Sequence, residues 1–257
     1  MRSTYAPCIP VTGKAVPSRP EWLHEIKYDG YRLILIREDK RVRLLTRNGH
    51  DWSGRFPWIV ESALKNRHQQ FVIDGEAVIL GVDGVADFDA LHSRRHDDEV
   101  QLYAFDCLAL DGDDLRSLPL SMRKTNLQRL LARRPDGIFV APFEQGEIGP
   151  DLFRAACNMG LEGMASKRAD RSYRAGAPKT GSTGRIRPSA ACWISLTKQG
   201  SVGSRLERGG CFRQLRTCRR ARPGRLWANC GLMHYNIAAS LDHLVGPCHH
   251  RRREVEA

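Results

Sequence analysis

EIKYDGYR, the segment from Glu25 to Arg32, places one lysine among charged neighbours and directly before an apolar run. Lys27 lies two residues after Glu25 and two before Asp29, and residues 33–36 are all apolar. The lysine is therefore predicted at the lip of a strand. A lysine amine attacks phosphorus only when it is unprotonated, a form that a cation such as Arg32 favours. The two carboxylates oppose that form unless they bind metal or substrate, so the pattern predicts a nucleophilic lysine in a charged site.

Composition allows one substantial domain, or one domain with a smaller appendage, in 257 residues of which 41% are hydrophobic. The net charge is +12, but residues 177–257 contain 13 Arg, 2 Lys and 4 acidic residues and so carry +11 of it. Residues 1–176 hold 26 basic and 25 acidic side chains. A basic surface that binds nucleic acid normally belongs to the folded part of a chain. The overall charge is therefore weak support for nucleic-acid binding.

Two features bear on the compartment. No apolar run approaches the ~18 residues that span a bilayer. The first residues, MRSTYAPCIPV, lack the apolar region of a secretory signal. We expect a cytoplasmic protein with no membrane partner, whose eight cysteines are reduced.

Residues 20–176 have the pattern of a globular domain, preceded by an N-terminal extension, residues 1–19. Strands alternate irregularly with helices, which predicts an α+β fold. Ser121 is the predicted N-cap of the second helix, and Gly160 is expected to end the third. The predicted strands are Tyr31–Glu38, Arg41–Thr46, Phe71–Leu80 and Val100–Leu110, the first two joined as a hairpin through Asp39, and the predicted helices are Trp58–Arg67, Ser121–Arg134 and Asp151–Met159.

Residues 177–257, here called the C-terminal tail, lack sustained helical or strand periodicity and contain five of the eight cysteines. This composition predicts an irregular or disordered basic segment. A structural zinc site is the less favoured interpretation, because the cysteine spacing matches no close-paired zinc pattern. The cysteines concerned are Cys211, Cys218, Cys230 and Cys248.

Five further segments carry candidate functional residues in a fixed order. Each has an ordinary interpretation when taken alone: Arg47 could flank a hairpin turn, Asp74 could begin a turn, and Phe105 could be a core aromatic residue. Glu162 could mark a helix-to-loop junction. The segments are Thr46–Gly49 (TRNG), Asp74–Glu76 (DGE), Leu102–Asp106 (LYAFD), Glu162–Lys167 (EGMASK) and Tyr173–Gly176 (YRAG).

Together with Lys-x-Asp-Gly-x-Arg at residues 27–32, this ordered set resembles the adenylation domain of bacterial ATP-dependent DNA ligases of the end-joining repair type. The resemblance covers residues 20–176. It implies the DNA ligase/mRNA capping enzyme nucleotidyltransferase (ATP-grasp-like) fold, in which two antiparallel sheets flanked by helices bind ATP between them. It also implies a bacterial cytoplasmic enzyme that acts on nicked double-stranded DNA, alongside end-joining repair proteins.

The resemblance implies a role for each candidate residue. Lys27 would attack the α-phosphate of ATP to give a lysyl-AMP intermediate. AMP would then pass to the 5′-phosphate of a nick, and the 3′-hydroxyl would displace it. Glu162 and Glu76 would hold Mg²⁺, and the implied ATP-binding residues are Glu25, Asp29, Arg32, Arg47, Glu76, Phe105 and Lys167.

The sequence departs from the family after residue 176. The family's fifth motif, similar to Trp-Ile-Lys-x-Lys, offers two lysines to the α-phosphate. Residues 177–182 are instead APKTGS, and Trp193-Ile194 is followed by Ser-Leu-Thr-Lys. The tail also lacks the alternating strands of the OB domain that follows in these ligases. Losing the two cations predicts reduced activity.

A frameshift near codon 177 is one hypothesis for both absences. Codons for Lys-Thr-Gly-Ser, AAR-ACN-GGN-TCN, can give Asn-Trp-Ile when translated from two bases later, although the next codon cannot encode lysine. Two other functions stay open. The chain could be a nucleotide- or DNA-binding remnant that does not seal DNA, or it could be an RNA ligase or a GTP-using capping enzyme.

Overall fold

A computed structural model describes residues 5–13, 15–133 and 136–176, and the backbone of residues 193–197. All of them belong to one structural unit, Met1–Gly200. The strands are β1 (Val11–Thr12), β2 (Trp22–Lys27), β3 (Tyr31–Glu38), β4 (Arg41–Thr46), β5 (Gln70–Val78), β6 (Gln101–Leu110), β7 (Asp113–Asp114), β8 (Ile138–Val140), β9 (Phe143–Gln145), β10 (Gly163–Arg168) and β11 (Trp193–Thr197). The helices are α1 (Pro57–Lys65), α2 (Phe88–His92), α3 (Leu120–Leu130) and α4 (Gly149–Asn158).

The strands form two sheets. The first has the order β1-β11-β10-β2-β9, and the second has the order β4-β3-β5-β6-β7, with β8 also beside β6. Neighbouring strands are antiparallel except for β1 with β11 and β6 with β8. The chain passes from the first sheet to the second between β2 and β3, which is the EIKYDGYR segment.

Strand β3 shows why the second sheet forms. Its apolar residues alternate between two faces: Leu33 and Leu35 join the main core with residues of α1 and α3, whereas Ile34 and Ile36 join a second cluster on the other face. A strand that is buried on both faces needs a continuous apolar run rather than an alternating one, and β3 has such a run.

Most predicted elements are confirmed to within a few residues. The predicted hairpin has the bounds of β3 and β4, and its two-residue turn holds Asp39 at φ 54°. The prediction that Gly160 ends the third predicted helix is confirmed, because α4 ends just before Gly160, which has φ 81°. Ser121 as an N-cap is wrong: α3 already begins at Leu120, and no side chain caps it.

None of the five strands of the first sheet was predicted as a strand, and these include β2, which ends at Lys27, and β10. The interpretation of Glu162-Gly163 as a helix-to-loop junction is wrong, because Gly163 begins β10. Asp74 and Gly75 lie inside β5, so they form no turn.

One strand of the first sheet, β11, comes from the segment assigned to the C-terminal tail, where it pairs with β10 and β1. Residues 177–192 and 198–257 lie outside the described residues. The predictions on APKTGS, on the four tail cysteines and on an OB domain therefore fall outside them too. Within the described part of the chain, every helix is too short or too polar to cross a bilayer.

Candidate active site

The crossing from β2 to β3 builds one end of the site. Gly30 approaches β5 so closely that a Cβ atom there would overlap the carbonyl oxygen of Ala77. The Asp-Gly pair of the motif thus reflects a close backbone approach. Tyr28 is buried beside the crossing, with its ring 4.8 Å from that of Tyr103. Lys27, the last residue of β2, therefore lies directly before a closely packed crossing.

A cavity of about 650 Å³ opens at this crossing. Its volume lies within the range of small-molecule sites. Both sheets supply its wall, because β2 provides its carboxyl-terminal residues and β3, β5 and β6 provide residues that face them. The candidate residues on the wall are Glu25, Lys27, Arg32, Arg47, Glu76 and Phe105.

Lys27 forms an ion pair with Glu162, 135 residues later in the sequence. The contact exists because β2 and β10 are paired, with Gly163 directly opposite Lys27. Both side chains keep about a third of their surface exposed, at 34% and 29%. The lysine is therefore positioned by a carboxylate and still accessible.

Glu76 lies on β5 opposite Arg32 and is half-buried. Burial raises the pKa of Glu76 to about 8, with Asp74 and Glu162 adding to the rise and Arg32 and Lys27 opposing it. A carboxyl group with this pKa is mostly protonated at neutral pH in the absence of a further cation.

The residues present fit a divalent metal ion. Oε2 of Glu162 is buried with no hydrogen-bond partner among the described residues, and Glu162 is near enough to Glu76 to raise the pKa of the Glu76 carboxyl. No cluster of three or more His, Cys, Asp or Glu side chains occurs in the described part of the chain. Two carboxylates completed by substrate oxygens and water are the coordination that Mg²⁺ prefers.

Arg32 is held by a buried carboxylate. Its guanidinium donates two hydrogen bonds to Asp74, at 2.9 and 2.7 Å, and a third to the carbonyl of Cys8 at 2.5 Å. Burial lowers the pKa of Arg32, but the charge of Asp74 outweighs it and raises the value overall. Arg32 is thus a fixed cation on the cavity wall.

Phe105 is buried and contributes to the cavity wall. The guanidinium carbon of Arg32 is 5.2 Å from the centre of its ring, and the ammonium of Lys167 is 4.2 Å from it. Cations at this distance are attracted by the aromatic ring and hold it in place.

Glu25 lies in a cluster that the sequence did not predict. Its carboxylate forms ion pairs with Lys124 on α3 and Lys167 on β10, both at 2.5 Å, and all three side chains are buried. Burial raises the pKa of Glu25, but the two ammonium groups outweigh this and lower it overall. The cluster therefore holds a charged carboxylate at the edge of the cavity.

Comparison with known proteins identifies the family to which this fold belongs. Residues 12–182 match the model of the ATP dependent DNA ligase domain. The chain belongs to this family. The predicted fold class is confirmed, since two solved mycobacterial ligase structures share it at close to 30% identity.

The first structure is a mycobacterial DNA ligase D complexed with ATP and MES. It is 29% identical, with a TM-score of 0.62, and the match covers 75% of this chain and 60% of that one. The second is the ligase domain of Mycobacterium tuberculosis LigD, which is 30% identical, with a TM-score of 0.61, and the match covers 74% of this chain and 58% of that one.

Curated relatives match this ligase domain over part of their length. The multifunctional non-homologous end joining protein LigD of Pseudomonas aeruginosa is 38% identical over 161 residues, which are 62% of this chain and 19% of the relative. A DNA ligase of Natronomonas pharaonis is 33% identical over 179 residues, covering 64% of this chain and 32% of the relative. The chain thus spans about a fifth and a third of the length of these two proteins.

Three candidate residues of the ligase domain, Asp29, Glu162 and Lys167, lie off the cavity wall. Asp29 is exposed in the turn after β2, and Lys167 is buried behind the wall, bound to Glu25. Arg47 is on the wall and exposed. The roles predicted for all nine candidate residues stay predictions.

Residues that sequence analysis missed include Lys124, Trp52 and His50, of which the last two line the cavity. Trp52 follows the TRNG segment by three residues, so proximity to that motif could have drawn attention to it. Lys124 carried no such indication, because a lysine on a helix is normally solvated.

Proposed function

We propose that the chain is an ATP-dependent DNA ligase that forms a lysyl-AMP intermediate on Lys27 and seals nicks during DNA repair and recombination. The observation that supports this most strongly is the position of Lys27. It lies at the wall of a cavity large enough for a nucleotide, is accessible, and is paired with Glu162. Family membership supports the use of ATP.

The first step would take place between Lys27 and the α-phosphorus of ATP. Oε1 of Glu162 holds the ammonium and is its nearest acceptor, so this oxygen can take the proton that the amine must lose, while Oε2 is left to face a metal ion. The amine nitrogen then bonds to the α-phosphorus as the bond to the bridging oxygen of pyrophosphate breaks. Pyrophosphate leaves, and AMP stays on the lysine.

The cavity wall provides the contacts that would orient ATP. Phe105 offers an apolar surface for the purine, and Arg32 and Arg47 offer cations for ribose and phosphate oxygens. Glu25 would contact the nucleotide from the edge of the cavity. Lys167 would act indirectly, because it holds the Glu25 carboxylate and the Phe105 ring in position. Asp29 would act by shaping the turn before Gly30.

Glu162 and Glu76 would hold Mg²⁺. Bound there, the ion supplies positive charge that offsets the charge of the triphosphate. The remaining contribution of the chain is positional, because Arg32 is fixed by Asp74 before any ligand arrives.

The substrate proposed for the later steps is nicked double-stranded DNA. The names of the relatives support this, since they are DNA ligases and end-joining proteins. We place the protein in the bacterial cytoplasm with end-joining repair proteins as partners.

The test is incubation of the full chain with ATP labelled at the α-phosphate and Mg²⁺, followed by denaturing electrophoresis. Wild type should acquire label, Lys27→Ala should acquire none, and Glu162→Gln should label about 100-fold more slowly because it loses its proton acceptor. Lys65→Ala is the matched control, since Lys65 is exposed at the end of α1.

Parallel reactions distinguish the other functions. Label from GTP but not ATP would support a capping enzyme, and no label from either nucleotide would support a non-sealing remnant. Sealing assays on nicked DNA and nicked RNA duplexes then separate a DNA ligase from an RNA ligase.

A further inference from the structure

The segment Ala6–Pro10, here called the N-terminal segment, precedes the residues that the family model matches, which begin at residue 12. It nevertheless reaches the cavity, because Ile9 and Pro10 line the wall. Nothing in the motif order of the sequence predicted that these residues would belong to the site.

Backbone hydrogen bonds tie this segment to the YRAG run at the other end of the domain. The amide of Ile9 donates to the carbonyl of Gly176 at 3.0 Å, and the amide of Gly176 donates to the carbonyl of Pro7 at 3.0 Å. Cys8, which is 5% exposed, lies opposite Gly176 in a parallel bridge. The segment therefore follows a defined path beside residues 173–176.

Tyr173 connects this path to the catalytic side of the domain. Its hydroxyl accepts a hydrogen bond from the amide of Cys8 at 2.9 Å and lies 2.8 Å from Oδ2 of Asp74, to which it donates. The carbonyl of Ala6 is a second acceptor within 3.1 Å. One hydroxyl thus touches both the N-terminal segment and the carboxylate that fixes Arg32.

The contacts close into a ring of four members. Arg32 donates to Asp74 and to the carbonyl of Cys8, the amide of Cys8 donates to Tyr173, and Tyr173 donates to Asp74. Asp74 is fully buried, so its partners determine where its charge and that of Arg32 lie. Both main-chain polar groups of Cys8, its N–H and its C=O, take part.

We propose that Tyr173 is a positioning residue that, through Asp74 and the Cys8 peptide, fixes the guanidinium of Arg32 and couples the N-terminal segment to occupancy of the nucleotide cavity. The coupling to a nucleotide rests on the proposed function. By reciprocity, a ligand that is bound better when the segment is in place must in turn hold the segment in place. Nucleotide binding should therefore slow the opening of residues 6–10.

The first experiment measures hydrogen exchange in the full-length chain without nucleotide. Tyr173→Phe should exchange the amides of Cys8 and Ile9 about tenfold faster than wild type, because the hydroxyl that accepts from the Cys8 amide and donates to the Asp74 carboxylate is lost. Tyr5→Phe is the matched control. Tyr5 packs on the same apolar cluster as Tyr173, but its ring lies against Arg116. Equal exchange in Tyr173→Phe and wild type, or an equal rise in both variants, would overturn the ring of contacts.

The second experiment repeats the exchange with Mg-ATP, using Lys27→Ala so that no covalent bond forms. Protection of the Cys8 and Ile9 amides together with peptides around Arg32 and Phe105 is the expected result. Protection around Arg32 and Phe105 without the Cys8 and Ile9 amides would overturn the inference but not the proposed function. Protection nowhere in the cavity would overturn the proposed function, while the first experiment still decides the role of Tyr173.

A kinetic measurement separates positioning from a general loss of folding. In a protein that keeps Lys27, Tyr173→Phe should raise the ATP concentration that gives half-maximal labelling about tenfold. The labelled fraction at saturating ATP should be unchanged. A lower labelled fraction with an unchanged half-maximal concentration would indicate a structural role only and contradict the proposal. Tyr5→Phe should stay within about twofold of wild type on both quantities.

Discussion

At the scale of single residues, the site divides into side chains that local sequence could identify and side chains that it could not. Lys27 and Arg32 belong to one short motif, and Glu76 and Phe105 belong to segments in a recognisable order. All four line the cavity. Lys124 could not be identified, because its burial depends on Glu25 and on Phe143, whose ring centre is 4.5 Å from its ammonium. These partners come from strands distant in sequence.

The buried cluster predicts an unequal effect of two substitutions. Glu25→Gln leaves the ammonium groups of Lys124 and Lys167 buried together with no anion, and should lower the free energy of unfolding by about 3–5 kcal/mol. Lys124→Met leaves a neutral Glu25–Lys167 pair and a side chain that still packs on Phe143, and should lower it by less than about 2 kcal/mol. Urea unfolding of both variants measures this, and the reverse order would show that the three side chains do not share charge as described.

At the scale of elements, β2 and β10 are two strands that escaped prediction, and both carry buried polar side chains. In β2 and β10, His24 lies opposite Ser166 and Glu25 lies near Lys167, so neither strand has the apolar run that made β3 and β6 predictable. A sequence pattern assigns polar residues to the surface, whereas here they satisfy one another across the sheet. These two strands, whose sequences lack the usual strand pattern, are also the ones beside the candidate site. This is expected because functional side chains replace the apolar residues that packing alone would favour.

The pairing of β2 with β10 predicts a pH dependence of stability. Burial lowers the pKa of His24 below 6.5, although its hydrogen bond with the Gly146 carbonyl opposes this. As pH falls below about 6.5 the unfolded chain takes up the proton first, so the folded state loses stability until its own His24 titrates. The free energy of unfolding should fall with a slope of at most about 1.4 kcal/mol per pH unit from this group.

The measurement compares wild type with His24→Gln between pH 7 and 5.5. Glu76, with its pKa raised to about 8, changes stability in the opposite direction over this range, but it is present in both proteins and cancels in the difference. His96→Gln is the control, since His96 is exposed and paired with Glu99. A pH slope in His24→Gln equal to that of wild type would show that His24 does not contribute.

At the scale of the molecule, the two sheets meet at one cavity, and ligand binding there should stabilise the whole described domain. The resemblance predicted this architecture, with ATP between the sheets, because its motifs fall on strands of both. It did not predict the contribution of Ile9 and Pro10, because they lie before the first motif and interact through backbone groups. The domain limits of residues 20–176 stay a prediction.

Mg-ATP should raise the unfolding temperature of Lys27→Ala, in which no covalent adenylate can form. At a ligand concentration 100 times the Kd, the rise should be about 5–10 °C. Removing Mg²⁺ with a chelator should reduce the shift, as should Phe105→Ala after correction for its own lower stability. An unchanged unfolding temperature at millimolar Mg-ATP would contradict a nucleotide site in this cavity.

The attachment point of AMP is the most direct test. The full chain is incubated with ATP and Mg²⁺ and then digested. The peptides are mapped by mass spectrometry under conditions that preserve the phosphoramidate bond between lysine and AMP. The account predicts AMP on the nitrogen of Lys27 and on no other lysine. AMP on Lys124, Lys167 or a lysine outside the cavity, with Lys27 unmodified, would contradict it.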